Sequence, residues 1–286
     1  DVLNELFAEL AEVSPNKQEL LHLITAEQDA SMLMSLTSLD LSKCKLGNKK
    51  TDFFKALSWI PNLTSLNLSE NGLGADDAKA LAASPTLTNL TSLNLNDNHI
   101  GDNGVKALAA SETLTNLTSL NLDYNDIEDD GVSALAASET FIHLTSLDLR
   151  DNEIGADGVK AMAASPALAN LTSLNVGGNI IADVGVSALV ASATLINLAS
   201  LDLGSNHIQA DGAKALAASA ALTHLTSLNL DCNHIRAVGA KALAASTTLT
   251  NLTSLDLGCN SIGDGLKALA ASTTFTNLAS LNLCYN

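Results

Sequence analysis

Large aromatic side chains are nearly missing. Five Phe, two Tyr and one Trp make up 3% of a 286-residue chain. A core built with so few rings has to come from aliphatic side chains in regular rows, not from a handful of bulky anchors. Only four cysteines are present, without the spacing of a disulfide framework, which suits a reducing compartment. Basic residues are also few: 14 Lys and Arg stand against 31 Asp and Glu, a net charge of −17. Such a field repels nucleic acid and steers a basic protein inward, although the same acidity also serves solubility. No apolar run approaches the ~18 residues needed to cross a bilayer, so no membrane segment is expected. A glycine-rich phosphate loop, an HExxH pair, a nucleophile elbow and paired buried carboxylates are all lacking. Catalysis is therefore not expected within these residues, and no cofactor is implied.

What the chain does have is repetition. The stretch Leu90-Thr91-Ser92-Leu93-Asn94-Leu95-Asn96-Asp97-Asn98 returns almost from end to end. Its ten copies finish at Cys44, Asn71, Asn98, Asn125, Asn152, Asn179, Asn206, Asn233, Asn260 and Asn286, with every interval 27 residues except the last, which is 26. A strict period of this size specifies a solenoid. Leucines alternating with small polar residues, as in Leu93-Asn94-Leu95, predict one short strand per copy with one buried face. The Asn marks the turn off the strand, where an amide can donate and accept at once and so satisfy the backbone of neighbouring coils.

A helix should follow each turn, as in Asp130-Gly131-Val132-Ser133-Ala134-Leu135-Ala136-Ala137-Ser138. Asp130 is the expected N-cap, with Asn103, Asp157 and Asp211 in the same place, while Val184 and Val238 leave two helices without one. Leu108, Leu135, Leu189 and Leu216 point inward, and paired alanines such as Ala109 and Ala110 keep the helices slim enough to stack.

The LxxLxLxxN pattern followed by a helical segment, running from Leu36 to Asn286, resembles the leucine-rich repeat family. The phrases Gly104-Val105-Lys106-Ala107-Leu108-Ala109-Ala110-Ser111 and Gly212-Ala213-Lys214-Ala215-Leu216-Ala217-Ala218-Ser219 look most like its ribonuclease-inhibitor-like and bacterial GALA-type subclasses. The resemblance implies an α/β fold: a right-handed solenoid, or horseshoe, of about ten repeats with a concave parallel β-sheet and convex helices.

Residues 1–35 do not repeat and are expected to form an N-terminal helical cap, leaving 36–286 as the repeat domain. In the first repeat Phe53, Phe54, Trp59 and Ile60 replace the alanine-rich helix and should seal that end. The chain stops inside a repeat at Cys284-Tyr285-Asn286, so an open strand edge and self-association through it are expected, as for a fragment. Asn62, Asn67, Asn89, Asn116, Asn170 and Asn251 stand in N-x-S/T form, but the repeat generates them, and glycans on successive coils would crowd one edge.

His207 and His234 share one repeat position on adjacent coils, as do Cys232 and Cys259, and neighbouring strands at this spacing can bring two imidazoles and two thiols together, as a metal site or a disulfide. Repeats create such ladders without selection, and no metal is assigned. The outward strand positions are nearly constant, Ser at one and Asn or Asp at the other. The next two positions diversify, into Asn96 and Asp97, Asp123 and Tyr124, Arg150 and Asp151, Gly177 and Gly178, then Gly204 and Ser205. Fold constraints act on every copy alike, so variation here marks the expected partner-binding strip: Asp97, Asp123, Tyr124, Asp126, Arg150, Asp151 and Glu153, beside a patch floored by glycine. Lys79, Lys106, Lys160, Lys214, Lys241 and Lys267 line the outer helices as a solvated ridge. The function this supports is a non-catalytic scaffold binding a basic protein on its concave face, plausible for a bacterial effector in a bacterial or host cytoplasm. The alternative is the substrate-recognition arm of a multidomain enzyme such as a ubiquitin-ligase-type effector.

Overall fold

Every strand carries the same three-residue phrase, and that phrase decides the sheet. In the computed structural model, which describes residues 34–44, 46, 54, 57 and 60–286, β1 (Ser38–Asp40), β2 (Ser65–Asn67), β3 (Ser92–Asn94), β4 (Ser119–Asn121), β5 (Ser146–Asp148), β6 (Ser173–Asn175), β7 (Ser200–Asp202), β8 (Ser227–Asn229), β9 (Ser254–Asp256) and β10 (Ser280–Asn282) pair in sequence order. All pairings are parallel and in strict register, Ser on Ser and Leu on Leu. The central leucine of β2 to β9 is buried, while Ser and Asn or Asp stay half-buried on the other face. The strands thus form the single parallel sheet expected of the solenoid.

On the far side lie α1 (Ala75–Ala82), α2 (Gly101–Ala109), α3 (Asp129–Ala136), α4 (Ala156–Ala163), α5 (Ala182–Val190), α6 (Ala210–Ala217), α7 (Arg236–Ala244) and α8 (Gly265–Ala270). Each inserts one row into the core; Leu108, Leu135, Leu189 and Leu216 have no exposed surface. Phe141, the one aromatic fully enclosed among the described residues, occupies a place that Leu114 and Leu168 fill in the neighbouring coils. Phe54 and Ile60 are buried as expected at the first coil. Phe53, Trp59 and the proposed cap over residues 1–35, apart from Met34 and Ser35, lie outside the described residues. At the other end β10 pairs with β9, and Leu281 is 44% exposed.

The helix starts correct one expectation. Asp130, Asp157 and Asp211 are not N-caps: they lie at the second position of α3, α4 and α6 and pair with lysines, Lys106 (3.2 Å), Lys160 (2.7 Å) and Lys214 (2.8 Å). Asn103 likewise sits inside α2, as its third residue. The capping acid stands one residue earlier and serves the next coil. Asp102 Oδ1 accepts from Glu128 N and Gly131 N, both at 2.9 Å. Asp129 Oδ1 does so for Gly155 N (2.7 Å) and Gly158 N (2.9 Å), and Asp183 Oδ1 for Gln209 N (2.7 Å) and Gly212 N (2.9 Å). These N–H groups have no intrahelical acceptor, so a carboxylate from the preceding coil satisfies them and sits at the positive end of the helix.

Where that acid is Ala75, Ala156 or Ala210, the next turn takes another shape. The third residue after the Asn turns left-handed, at Gly101 (φ 55°), Ala182 (φ 53°) and Arg236 (φ 57°). Its N–H then donates to the Asn carbonyl one coil onward, at Asn125, Asn206 and Asn260, at 2.9 to 3.0 Å. In these six turns one backbone donor has two solutions, according to whether the preceding coil offers the carboxylate, while at Gly74 the same N–H donates to Asp77 Oδ2 of its own helix at 2.8 Å. α5 and α7 do begin without a side-chain cap, as expected, but the cause is Ala156 and Ala210 in the preceding coils; Val184 and Val238 are exposed within the helices.

Candidate functional site

The site stands on the Asn turns. Asn152 is 8% exposed and its Nδ2 donates to Leu122 O (3.1 Å), Leu149 O (3.0 Å) and Arg150 O (2.9 Å). Its Oδ1 accepts from Asn125 N and Ile127 N, both at 3.0 Å. The amide therefore ties its own turn to the preceding coil through both ends. The same bonds recur at Asn98 and Asn233, and at Asn71 with the N–H of Cys44 on its Oδ1. Cys44 lacks this amide; its N–H donates to Asn71 Oδ1 at 3.0 Å, and its thiol donates to Ser42 O at 3.4 Å.

The residue immediately before each of these positions is left-handed in all ten coils: Lys43, Glu70, Asp97, Tyr124, Asp151, Gly178, Ser205, Cys232, Cys259 and Tyr285 have φ between 47° and 65°. Only one of them is glycine. Each non-glycine residue here accepts a local backbone penalty, so the variable positions are conformationally fixed even where their chemistry varies. The residue before it is also fixed, because the strand's last side chain accepts its N–H: Asn94 from Asn96, Asn121 from Asp123, Asp148 from Arg150, at 2.9 to 3.0 Å. The constant Asn/Asp ladder is thus structural, and it aims the strip.

Asp97, Tyr124 and Asp151 consequently occupy one register position on three successive coils, with Tyr124 in the middle and 60% exposed. Glu153 is exposed beyond the turn. Three of the expected acids are already engaged: Asp126 Oδ2 meets His99 Nδ1 at 3.0 Å, Asp151 Oδ2 accepts from Arg150 Nε at 3.0 Å, and Asp123 Oδ2 accepts from Asn96 Nδ2 at 2.9 Å. Asp151 also leans over Gly178, where a Cβ would lie 1.9 Å from its Oδ1. The glycine-floored patch is therefore roofed on one side by a carboxylate.

Asp123 is the electrostatic centre of the strip. Its Oδ1 is shut off from solvent with no hydrogen-bond partner. Burial first, then the charges of Asp148, Asp151 and Asp97, push its pKa from 3.8 up to about 6, with Arg150 opposing. Asp148, which the sequence reading passed over as part of the ladder, is also raised, mainly by burial. Burial, the largest single influence, works against the Arg150 charge, but Asp151 in contact with it, together with Asp202 and Asp123, keeps its pKa above the ordinary value.

The His and Cys ladders do not merge. His207 and His234 stack with ring centroids 6.2 Å apart, and all four cysteines are free thiols. The third group beside Cys232 and Cys259 is Asp231: one donor atom from each of the three lies within 4.8 Å of the others. Cys232 Sγ donates to Asp231 Oδ2 at 3.2 Å, and that bond, burial and Cys259 push the thiol up to about 12. At the strand entries, Asn89, Asn116 and Asn170 line an open groove of about 640 Å³ together with His143, while their amides donate to Pro61 O, Thr88 O and Ile142 O. The N-x-S/T triplets there thus belong to an inter-coil ladder. Among the described residues no helix is long and apolar enough to cross a membrane.

A profile of the leucine-rich repeat family matches residues 33–49, 60–82, 86–109, 113–136, 142–163, 167–190, 194–217, 221–244 and 248–270, more than half of the chain. No curated protein matches over its sequence. Among solved structures it is similar to internalin C2 from Listeria monocytogenes, at 25% identity over 82% of this chain and 92% of that one, with a TM-score of 0.57. It is also similar to TLR13 in its complex with ssRNA13, at 24% identity over 89% of this chain but 37% of that one, with a TM-score of 0.53. The second likeness is one of fold alone, and the RNA belongs to that protein. With its amide ladder, three-residue parallel strands and 27-residue period, the chain belongs to the leucine-rich repeat family.

Proposed function

We propose that the protein is a non-catalytic recognition scaffold that holds a basic protein partner on its sheet face, over the coils ending at Asn98, Asn125 and Asn152. The observation that carries this is Tyr124: an aromatic on a hydrogen-bonded turn, 60% exposed, flanked at the same register position by Asp97 and Asp151. Tyr supplies contact area at little entropic cost, and surrounding carboxylates select a cationic partner and speed its approach. The net charge of −17 favours such a partner over nucleic acid. A bacterial source, an effector role and the GALA-type subclass belong to the same proposal; the likeness to a Listeria protein supports the first of them.

The alternative is that these coils are the substrate-recognition arm of a larger enzyme, and the full reading frame distinguishes the two. The binding test uses a partner captured from lysate and measured at low salt. Tyr124→Ala is expected to lower affinity by about 2 kcal/mol, the scale of a hot spot. Asp97→Lys with Glu153→Lys is expected to slow association, with the difference shrinking as salt rises. Lys already sits at the Asp97 register position in the first coil, as Lys43, so that reversal should fold. A partner whose affinity ignores both variants places its site elsewhere.

A further inference from the structure

We propose that Asp231, Cys232 and Cys259 form a site for a thiophilic divalent cation of the zinc class, bound by two thiolates and one carboxylate. Cys232 and Cys259 hold the same place in adjacent coils and share a left-handed backbone, φ 54° and 51°, so their side chains leave the turn in the same direction. The coils are locked beneath them: Cys232 N donates to Gly258 O at 3.0 Å and Cys259 N to Cys284 O at 2.8 Å. Asp231 is aimed by a different device. Its N–H is held by Asn229 Oδ1 at 2.9 Å, and its carboxylate occupies space left by Gly258, where a Cβ would lie 2.5 Å from Asp231 Oδ1.

One donor atom from each residue already falls within 4.8 Å of the other two. Tetrahedral zinc, with bonds of about 2.3 Å to sulfur and 2.0–2.2 Å to oxygen, requires ligand separations of about 3.6–3.8 Å. Closing the remaining gap takes side-chain rotation and leaves the backbone in place. Cys232 is exposed, which opens an entry path and leaves a fourth position to water. On binding, each thiol gives up its proton to solvent, two sulfur–metal bonds and one oxygen–metal bond to Asp231 replace bonds from the ion to water, which is released, and nothing is oxidised or reduced. The ion would clasp the coils ending at Asn233 and Asn260.

The test is a cobalt(II) titration of the full chain kept reduced, followed by the thiolate-to-cobalt charge-transfer absorption, with zinc as competitor. One equivalent should saturate the band, and zinc should abolish it. Cys232→Ser and Cys259→Ser should each remove it, Asp231→Asn should weaken cobalt binding about tenfold or more, and Cys284→Ser should bind as the parent does. Circular dichroism checks that each variant is folded. No band with the parent chain, a band that survives both Cys232→Ser and Cys259→Ser, or undiminished affinity in Asp231→Asn would overturn the assignment.

Discussion

At the scale of single residues, Asp123 shows how a recognition surface can be held at a cost to folding. Its pKa rises from 3.8 in the unfolded chain to about 6 in the fold, so the native state holds this proton more tightly than the unfolded state does. The stabilising contribution of that proton is complete below 3.8 and is lost as pH rises through about 6. A two-unit shift corresponds at most to about 3 kcal/mol, and because the side chain is only half-buried, solvent screening reduces this to about 1 kcal/mol. Asp123→Asn is accordingly expected to stabilise the protein by about 1 kcal/mol well above its pKa and to leave it unchanged in acid, where the native carboxyl is already neutral. Urea unfolding at the two conditions measures the difference. A partner held through charge should also bind more weakly once Asp123 is protonated.

At the scale of the element, α3, α4 and α6 take their caps from the coil before them. Asp183→Ala strips Gln209 N and Gly212 N of their shared acceptor and should destabilise by about 1 kcal/mol. Asp211→Ala, in the helix so capped, removes only an exposed pair with Lys214 and should be near neutral. Sequence inspection finds the strands and helices because leucine period and turn spacing are local signals. The caps escape it: the acid and the N–H it serves are 26 to 29 residues apart, and the usual rule searches the residue beside the helix. The left-handed turn position escapes for a different reason. Glycine would betray it, yet Gly178 is its single glycine among residues such as Asp97, Tyr124 and Cys232. Variation there shows in the sequence itself, while the internal bonds of Asp123, Asp126 and Asp151 depend on Asn96, His99 and Arg150, whose reach only the folded coils reveal.

At the scale of the whole molecule, the described coils pack on their neighbours in sequence order, and the row of turn amides is one of the links between them. Asn152 makes five such bonds in and across its turn, and Asn152→Ala should destabilise by about 1–3 kcal/mol, the range for buried groups left unpaired. Lys160→Ala, at an exposed ion pair, is the control. The consequence reaches beyond a lowered melting point. A stack whose cohesion passes from one member to the next behaves like a row of coupled switches, and weakening one coupling midway divides the row. The parent should melt in a single cooperative step, whereas Asn152→Ala should melt in two, with the coils on either side of the fault releasing at different temperatures. Calorimetry can count the steps.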